Sequence, residues 1–142
     1  MNRSLDRIVM AEGLRSGVLL SLCAVALAVL GLTPALSWIP EGPLLGAAIL
    51  LAVAILIWTG LRAAERSGRL VAGPLTGALA GSIGGCVGGI AYLVAGKPAL
   101  NIAAGLVTGA LSGAVCGFAG AKLASRFTAP AVEPERGADE RS

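Results

Sequence analysis

The side chains that could carry chemistry in this chain are few, small and dispersed. Three hydroxyl groups, on Ser82, Thr108 and Ser112, lie within long apolar segments, where they could bond across a helix contact or line a polar path. A hydroxyl becomes a nucleophile beside a general base, and the sequence contains no histidine. A histidine-ligated haem or zinc site is excluded for the same reason. We therefore predict no catalytic residue, no cofactor and no metal site, and expect a protein that is not an enzyme.

The cysteines and the charged residues agree with this interpretation. Cys23, Cys86 and Cys116 all lie in apolar segments and have no histidine partner, so we interpret them as small apolar fillers. Charged side chains are absent from four stretches, which are residues 18–40, 42–61, 70–96 and 98–121. Ion- and proton-coupled membrane proteins usually place an ionisable group inside the membrane, so this class is disfavoured.

The elements that position these residues are predicted to be membrane helices. Hydrophobic residues make up 56% of the chain and charged residues only 13%, against about a quarter charged in a soluble domain. About 20 apolar residues are needed to cross the hydrocarbon core. We predict an all-α integral membrane protein with four transmembrane helices, at about 17–38, 44–61, 70–95 and 99–124.

The predicted transmembrane domain, residues 17–127, is flanked by two polar segments. Residues 1–16 form a cytoplasmic lead-in, either a short interfacial helix or a solvated cap on the first span. Residues 128–142 are polar and contain prolines, so we predict a disordered cytoplasmic tail. A cleaved signal peptide is the alternative for the first segment, but its apolar run exceeds the usual ~7–15 residues.

The basic residues predict the orientation. Every lysine and arginine except Lys97 falls on the side of the membrane that holds both termini. Because basic residues concentrate on the cytoplasmic side, both termini should be cytoplasmic, in a bacterial-type inner or plasma membrane. The basic clusters are too short for a nucleic-acid surface, and the expected partner is the lipid bilayer.

The third and fourth segments carry a matching series of glycines four residues apart, here called the glycine ladder. The first four rungs of the first series recur in the second at an offset of 32, the distance from residue 73 to residue 105, and the fifth, Gly89, corresponds to Ala121. The ladder comprises Gly73, Gly77, Gly81, Gly85 and Gly89, followed by Gly105, Gly109, Gly113 and Gly117. Small residues at this spacing let membrane helices approach closely. We predict that the third and fourth helices form an antiparallel glycine-zipper pair, and that the leucine-rich second helix largely faces lipid.

Two functions from different classes remain open. The first is a non-catalytic multi-pass membrane protein that acts through glycine-mediated helix packing, as a homo-oligomer or as an accessory subunit of a larger membrane complex. The alternative is a small channel, holin-like pore or facilitator for small solutes, in which Ser82, Thr108 and Ser112 would line the path.

Overall fold

The computed structural model describes residues 3–32, 41–94, 96 and 98–127. Within these residues the chain forms four α-helices: α1 (Arg3–Leu32), α2 (Glu41–Ser67), α3 (Ala72–Val94) and α4 (Leu100–Phe127). Each helix is long and apolar enough to cross a membrane. The predicted all-helical chain with four helices suited to membrane spans is confirmed.

Glycines with positive φ end two of the helices. Gly68, with a φ of 63°, follows α2, and its N–H donates to the carbonyl of Ala64 at 2.8 Å. Gly96, with a φ of 78°, follows α3, and its N–H donates to the carbonyl of Leu93 at 2.9 Å. A left-handed residue at a helix end satisfies a free carbonyl and turns the chain, which suits glycine because it has no Cβ. These two turns fold α2, α3 and α4 back on one another.

The first helix begins earlier than the sequence predicts. It starts at Arg3, so the described part of the lead-in continues α1 and is not a separate segment. The physical reason is packing, because Leu5 is buried in a cluster with Ala63 of α2 and Ala72 of α3. Residues 33–38 of the predicted first span and the predicted tail, 128–142, lie outside the described residues.

The helices pack around a central pair. α3 and α4 share the most extensive contact, α1 packs on α3, and α2 packs on α4 while also touching α3 and α1. The expectation that α2 largely faces lipid is therefore only half right. Leu50 and neighbouring apolar side chains are exposed, whereas Leu56, Gly60 and Ala63 are buried.

The outer surface of the bundle is apolar. Large exposed side chains include Leu22 and Val29 on α1, Val94 on α3, and Leu111 and Val115 on α4. The buried residues are mostly small, with alanines and glycines at the helix contacts. Bulky apolar groups outside and small residues inside are typical of membrane helix bundles, in which lipid solvates the surface.

Candidate helix-packing site

The backbones of α3 and α4 approach each other most closely at the glycines. A Cβ atom built at Gly77 would lie within 3.0 Å of the carbonyl oxygen of Gly113, and one built at Gly113 would lie as close to the carbonyl oxygen of Gly77. The same reciprocal relation holds for three further pairs: Gly73 with Gly117, Gly81 with Gly109, and Gly85 with Gly105. Because the opposing atoms are backbone, no residue larger than glycine fits at these positions without moving a helix.

The ends of this contact differ from its middle. At one end, a Cβ at Gly73 would meet the Cβ of Ala121 at 2.5 Å as well as the backbone of Gly117. At the other end, a Cβ at Gly89 would lie 2.5 Å from the Cα of Ile102. The close approach therefore continues past the last glycine of α4 at one end and past its first at the other.

The contact has an approximate two-fold symmetry. Each step of four residues along α3 is matched by a step of four residues back along α4, so the helices are antiparallel. In the sequence repeat, Gly105 is the equivalent of Gly73, and Gly117 is the equivalent of Gly85. The contacts Gly73–Gly117 and Gly85–Gly105 are therefore equivalent under the repeat.

A second close approach joins α2 to α4. A Cβ at Gly60 would lie within 3.0 Å of the backbone of Gly117, and one at Gly120 would lie 2.8 Å from the backbone nitrogen of Leu61. Sequence reasoning missed both Gly60 and Gly120, because a glycine outside the four-residue series gives no periodic signal. The cluster of small residues at Gly120, Ala121 and Ala124 was the available signal.

α1 meets α3 through side chains instead of backbone. Leu79 of α3 lies over Gly13, and Ile83 of α3 lies over Gly17. In the opposite direction, Leu20 of α1 lies over Gly84, where a Cβ would be 3.0 Å from the leucine Cβ. Flexible side chains can shift, so this interface tolerates larger residues better than the α3–α4 contact.

The three predicted path hydroxyls all donate to carbonyls of their own helices. Ser82 donates to Leu79 at 2.8 Å, Thr108 to Ala104 at 2.7 Å, and Ser112 to Gly109 at 3.2 Å. Such bonds satisfy a hydroxyl in an apolar setting. The structure thus brings Thr108 and Ser112 onto one helix face, a turn apart, while Ser82 bonds within α3.

A groove opens on the α3–α4 pair near the turn that joins them, and we call it the turn-side groove. It has a volume of about 500 Å³, and Gly85, Gly88, Tyr92, Asn101, Thr108 and Ser112 are among its lining residues. A Cβ built at Gly88 would meet no atom within 4 Å, so this glycine faces open space. Ser112 also lines a smaller cavity of about 210 Å³ between the four helices, together with Leu20 and Cys23 of α1.

A polar cluster joins α1 to α2 at the opposite end of the bundle. Glu12 is only 6% exposed and forms an ion pair with Arg66. One turn further along α1, the Ser16 and Thr59 hydroxyl oxygens are 2.8 Å apart, and Thr59 also lies 2.7 Å from the Ile55 carbonyl. Since Thr59 has one hydroxyl proton, it can donate to Ile55 while accepting from Ser16. Sequence reasoning missed this cluster, although the four-residue spacing of Glu12 and Ser16 places them on one helix face.

The cysteines are dispersed in the bundle. Cys23, Cys86 and Cys116 are free thiols, each partly buried. Within the described residues, no three His, Cys, Asp or Glu side chains form a group that could hold a metal ion.

Comparisons with protein-family models, with curated proteins and with solved structures find no match for this chain.

Proposed function

We propose that this chain is a small non-catalytic membrane protein that acts through glycine-mediated helix packing and assembles with a second copy of itself. In this proposal α3 and α4 form a glycine zipper, and both termini face the cytoplasm of a bacterial-type inner or plasma membrane. The observation that carries the proposal is the reciprocal approach of Gly77 and Gly113 and its repetition along both helices.

The close backbone approach suits a bilayer. Lipid tails are as apolar as leucine, so membrane helices associate through close packing and polar contacts more than through hydrophobic burial. Bare glycine surfaces permit Cα–H···O=C contacts worth about 0.5–1 kcal/mol each. Carbonyl oxygens of α4 lie directly opposite four glycines of α3, where a Cβ would fit only if the helices moved apart: Gly73, Gly77, Gly81 and Gly85. Within one chain, therefore, the ladder is occupied by its own partner helix.

The turn-side groove supports assembly with a second copy. Gly85 and Gly88 line it, and a Cβ at Gly88 would meet no atom within 4 Å, so part of its wall is bare backbone. A small-residue surface in a membrane packs better against another helix than against mobile acyl chains. Ala104 and Thr108 border the same groove and are exposed. A helix of a second copy placed there would extend the packing mode used within the chain.

Substitution in the groove tests assembly separately from folding. Gly88→Leu introduces bulk where no atom lies within 4 Å, so the single chain should fold normally while a dimer should dissociate. Ala47→Leu, at an exposed position of α2 outside the groove, is the matched control. Crosslinking in the native membrane and native mass spectrometry in mild detergent would measure the oligomer. A strictly monomeric wild-type chain would overturn assembly with a second copy. Retention of a different protein by wild type, lost in Gly88→Leu, would instead assign an accessory subunit.

Substitution in the ladder tests the zipper itself. Gly81→Leu and Gly113→Leu place large side chains against backbone atoms, so both should reduce the yield of folded protein. Protease resistance and thermal unfolding in detergent would report this loss. Unchanged stability in both variants would contradict the proposed zipper.

A small channel, holin-like pore or facilitator is the second candidate, favoured by the hydroxyls of Thr108 and Ser112 on the groove wall. Leu20, Leu56 and Ala80 form a buried cluster between the helices, so such a path would need to open at these residues. Flux of ions and small neutral solutes into liposomes tests it, with Thr108→Val as the variant that should reduce transport. Absence of flux across a broad solute panel would exclude this candidate.

A further inference from the structure

We propose that the bundle binds anionic phospholipid headgroups at the end where α2 and α4 finish, through two aromatic–basic pairs. In the first pair, the guanidinium carbon of Arg62 lies 5.6 Å from the ring centre of Trp58. In the second, the Nζ of Lys122 lies 6.0 Å from the ring centre of Phe118. Each cation follows its aromatic residue by four positions, one helical turn closer to the helix end.

The two pairs lie within about one helical turn of the same height in the bundle. α2 and α4 contact each other through Gly60 and Gly117, and Leu61 of α2 lies against Gly120 of α4. Ala64 then packs with Ala124 further along both helices, so α2 and α4 run parallel. Trp58 and Phe118 therefore lie within about one helical turn of each other along the α2–α4 contact, and each cation lies one turn closer to the end of its helix.

The exposure of the rings fits a bilayer boundary. Trp58 is 60% exposed and Phe118 is 50% exposed, on a surface formed otherwise by apolar side chains. An aromatic ring at this depth contacts the upper acyl chains. A lysine or arginine one turn beyond can extend its charged end to the phosphate level while its stem covers apolar surface. The pairs thus present an apolar contact and a cation in the order in which a phospholipid presents its chain and its phosphate.

The charge balance at this end selects an anionic lipid. The segments that meet at this end carry further exposed basic side chains: Arg7 and Arg15 on α1, Arg69 before α3, and Arg126 on α4. The described acidic groups nearby are Asp6, Glu65 and Glu12, and the last is paired with Arg66. Within the described residues, neither Arg62 nor Lys122 has a carboxylate partner. A cation-rich surface at the membrane boundary attracts anionic lipid, at about 1 kcal/mol for each Lys or Arg.

Lipid binding by the purified full-length chain tests the proposal. Phosphatidylglycerol and phosphatidylcholine are compared as probes by native mass spectrometry, in wild type and in Arg62→Gln/Lys122→Gln. Wild type should retain phosphatidylglycerol preferentially. The double variant should lose about 25-fold in that preference, since ~1 kcal/mol for each cation corresponds to about fivefold. The matched control, Arg7→Gln/Arg69→Gln, removes the same charge at exposed positions outside the two pairs. It should lose less of the preference than Arg62→Gln/Lys122→Gln, because its cations do not lie over an aromatic ring at the boundary.

Three outcomes would overturn the proposal. Equal loss in the two double variants would mean that net charge, and not the aromatic–basic pairs, attracts the lipid. Equal retention of both lipids by wild type would mean that no anionic selectivity exists. Displacement of bound phosphatidylglycerol by inorganic phosphate would assign the cations to a soluble anion. The oligomeric state of Gly88→Leu does not enter these readouts, so failure here is distinguishable from failure of the proposed assembly.

Discussion

The substitution Gly77→Ala is the sharpest test of how α3 meets α4, because it adds a single methyl group. That methyl would lie within 3.0 Å of the carbonyl oxygen of Gly113 and 3.1 Å from the Cα of Gly117. Neither atom belongs to a side chain that could rotate away. The two helices must therefore separate, or one must shift along the other.

The expected cost follows from opposing effects. Forcing an extra carbon into a well-packed contact costs about 1–3 kcal/mol. Separation of the helices also weakens neighbouring Cα–H···O contacts, at about 0.5–1 kcal/mol each. The intrinsic helix preference of alanine over glycine returns about 1 kcal/mol. We expect Gly77→Ala to lower the free energy of unfolding by about 2 kcal/mol, the overpacking and contact losses less the helix preference.

Two glycines of the same helix provide matched controls. At Gly88 a new Cβ meets no atom within 4 Å, so Gly88→Ala should gain stability by up to about 1 kcal/mol from helix preference alone. At Gly84 it meets the Cβ of Leu20 at 3.0 Å, a contact that no rotamer change relieves, so Gly84→Ala should be less stable than Gly88→Ala. Its cost should stay below that of Gly77→Ala, where backbone atoms lie closer. The order of stability should be Gly88→Ala, then Gly84→Ala, then Gly77→Ala.

Equilibrium unfolding in mixed micelles, followed by circular dichroism, measures all three variants under one condition. The double variant Gly77→Ala/Gly113→Ala and its two single variants form a double-mutant cycle. The two residues are in reciprocal contact, so their effects on the free energy of unfolding should not be additive. If Gly77→Ala is as stable as Gly88→Ala, backbone contact between α3 and α4 is not what limits residue size at this position. Additive effects in the cycle would argue that the two glycines do not share a contact.

Three further predictions concern the other contacts. Arg66→Gln should lower stability by about 1–3 kcal/mol because the buried Glu12 carboxylate loses its counter-charge. Adding Glu12→Gln in the same chain should restore most of the loss. Thermal unfolding of the single and double variants measures both effects. Thr59→Val should lower the free energy of unfolding by about 0.5–1.5 kcal/mol because the hydrogen bond to Ser16 is lost. Thr59→Ser keeps the hydroxyl and should lower it less. Similar decreases for both variants in denaturant titrations would refute a role for the hydroxyl. Cys23 lines the cavity between the helices, whereas Cys116 packs against a buried cluster, so Cys23 should react faster with a small thiol reagent. Peptide mass spectrometry of timed samples compares the two rates. Faster reaction at Cys116 would contradict the packing.

The helical class was predictable because it follows from local composition. Four long apolar stretches separated by glycine, proline and charged residues predict four helices, and the structure confirms four helices of suitable length. The start of α1 was not predictable in the same way. The segment around Glu12 is polar in sequence, and only its packing against α2 and α3 makes it part of a buried helix.

The sequence indicates a contact surface between helices only where it repeats. The glycine ladder repeats every four residues, which is a helical surface pattern that can be read without knowing the partner. Gly60 and Gly120 lack such a repeat, and their contacts, with Gly117 and Leu61 respectively, depend on how α2 packs on α4. The pairing of Glu12 with Arg66 joins residues 54 positions apart, which no local pattern reports.

A contact made of identical units does not by itself specify its own alignment. Sliding α3 along α4 by one turn would place glycine opposite glycine at most positions again, with little change in local packing. The short connection between Val94 and Leu100 resists such slippage, because it leaves almost no spare chain and turns through Gly96. The second helix adds another restraint, since α2 packs on both α3 and α4 and places Gly60 against the backbone of Gly117. The alignment of α3 along α4 is thus set by the elements around the glycine ladder, and not by the ladder itself.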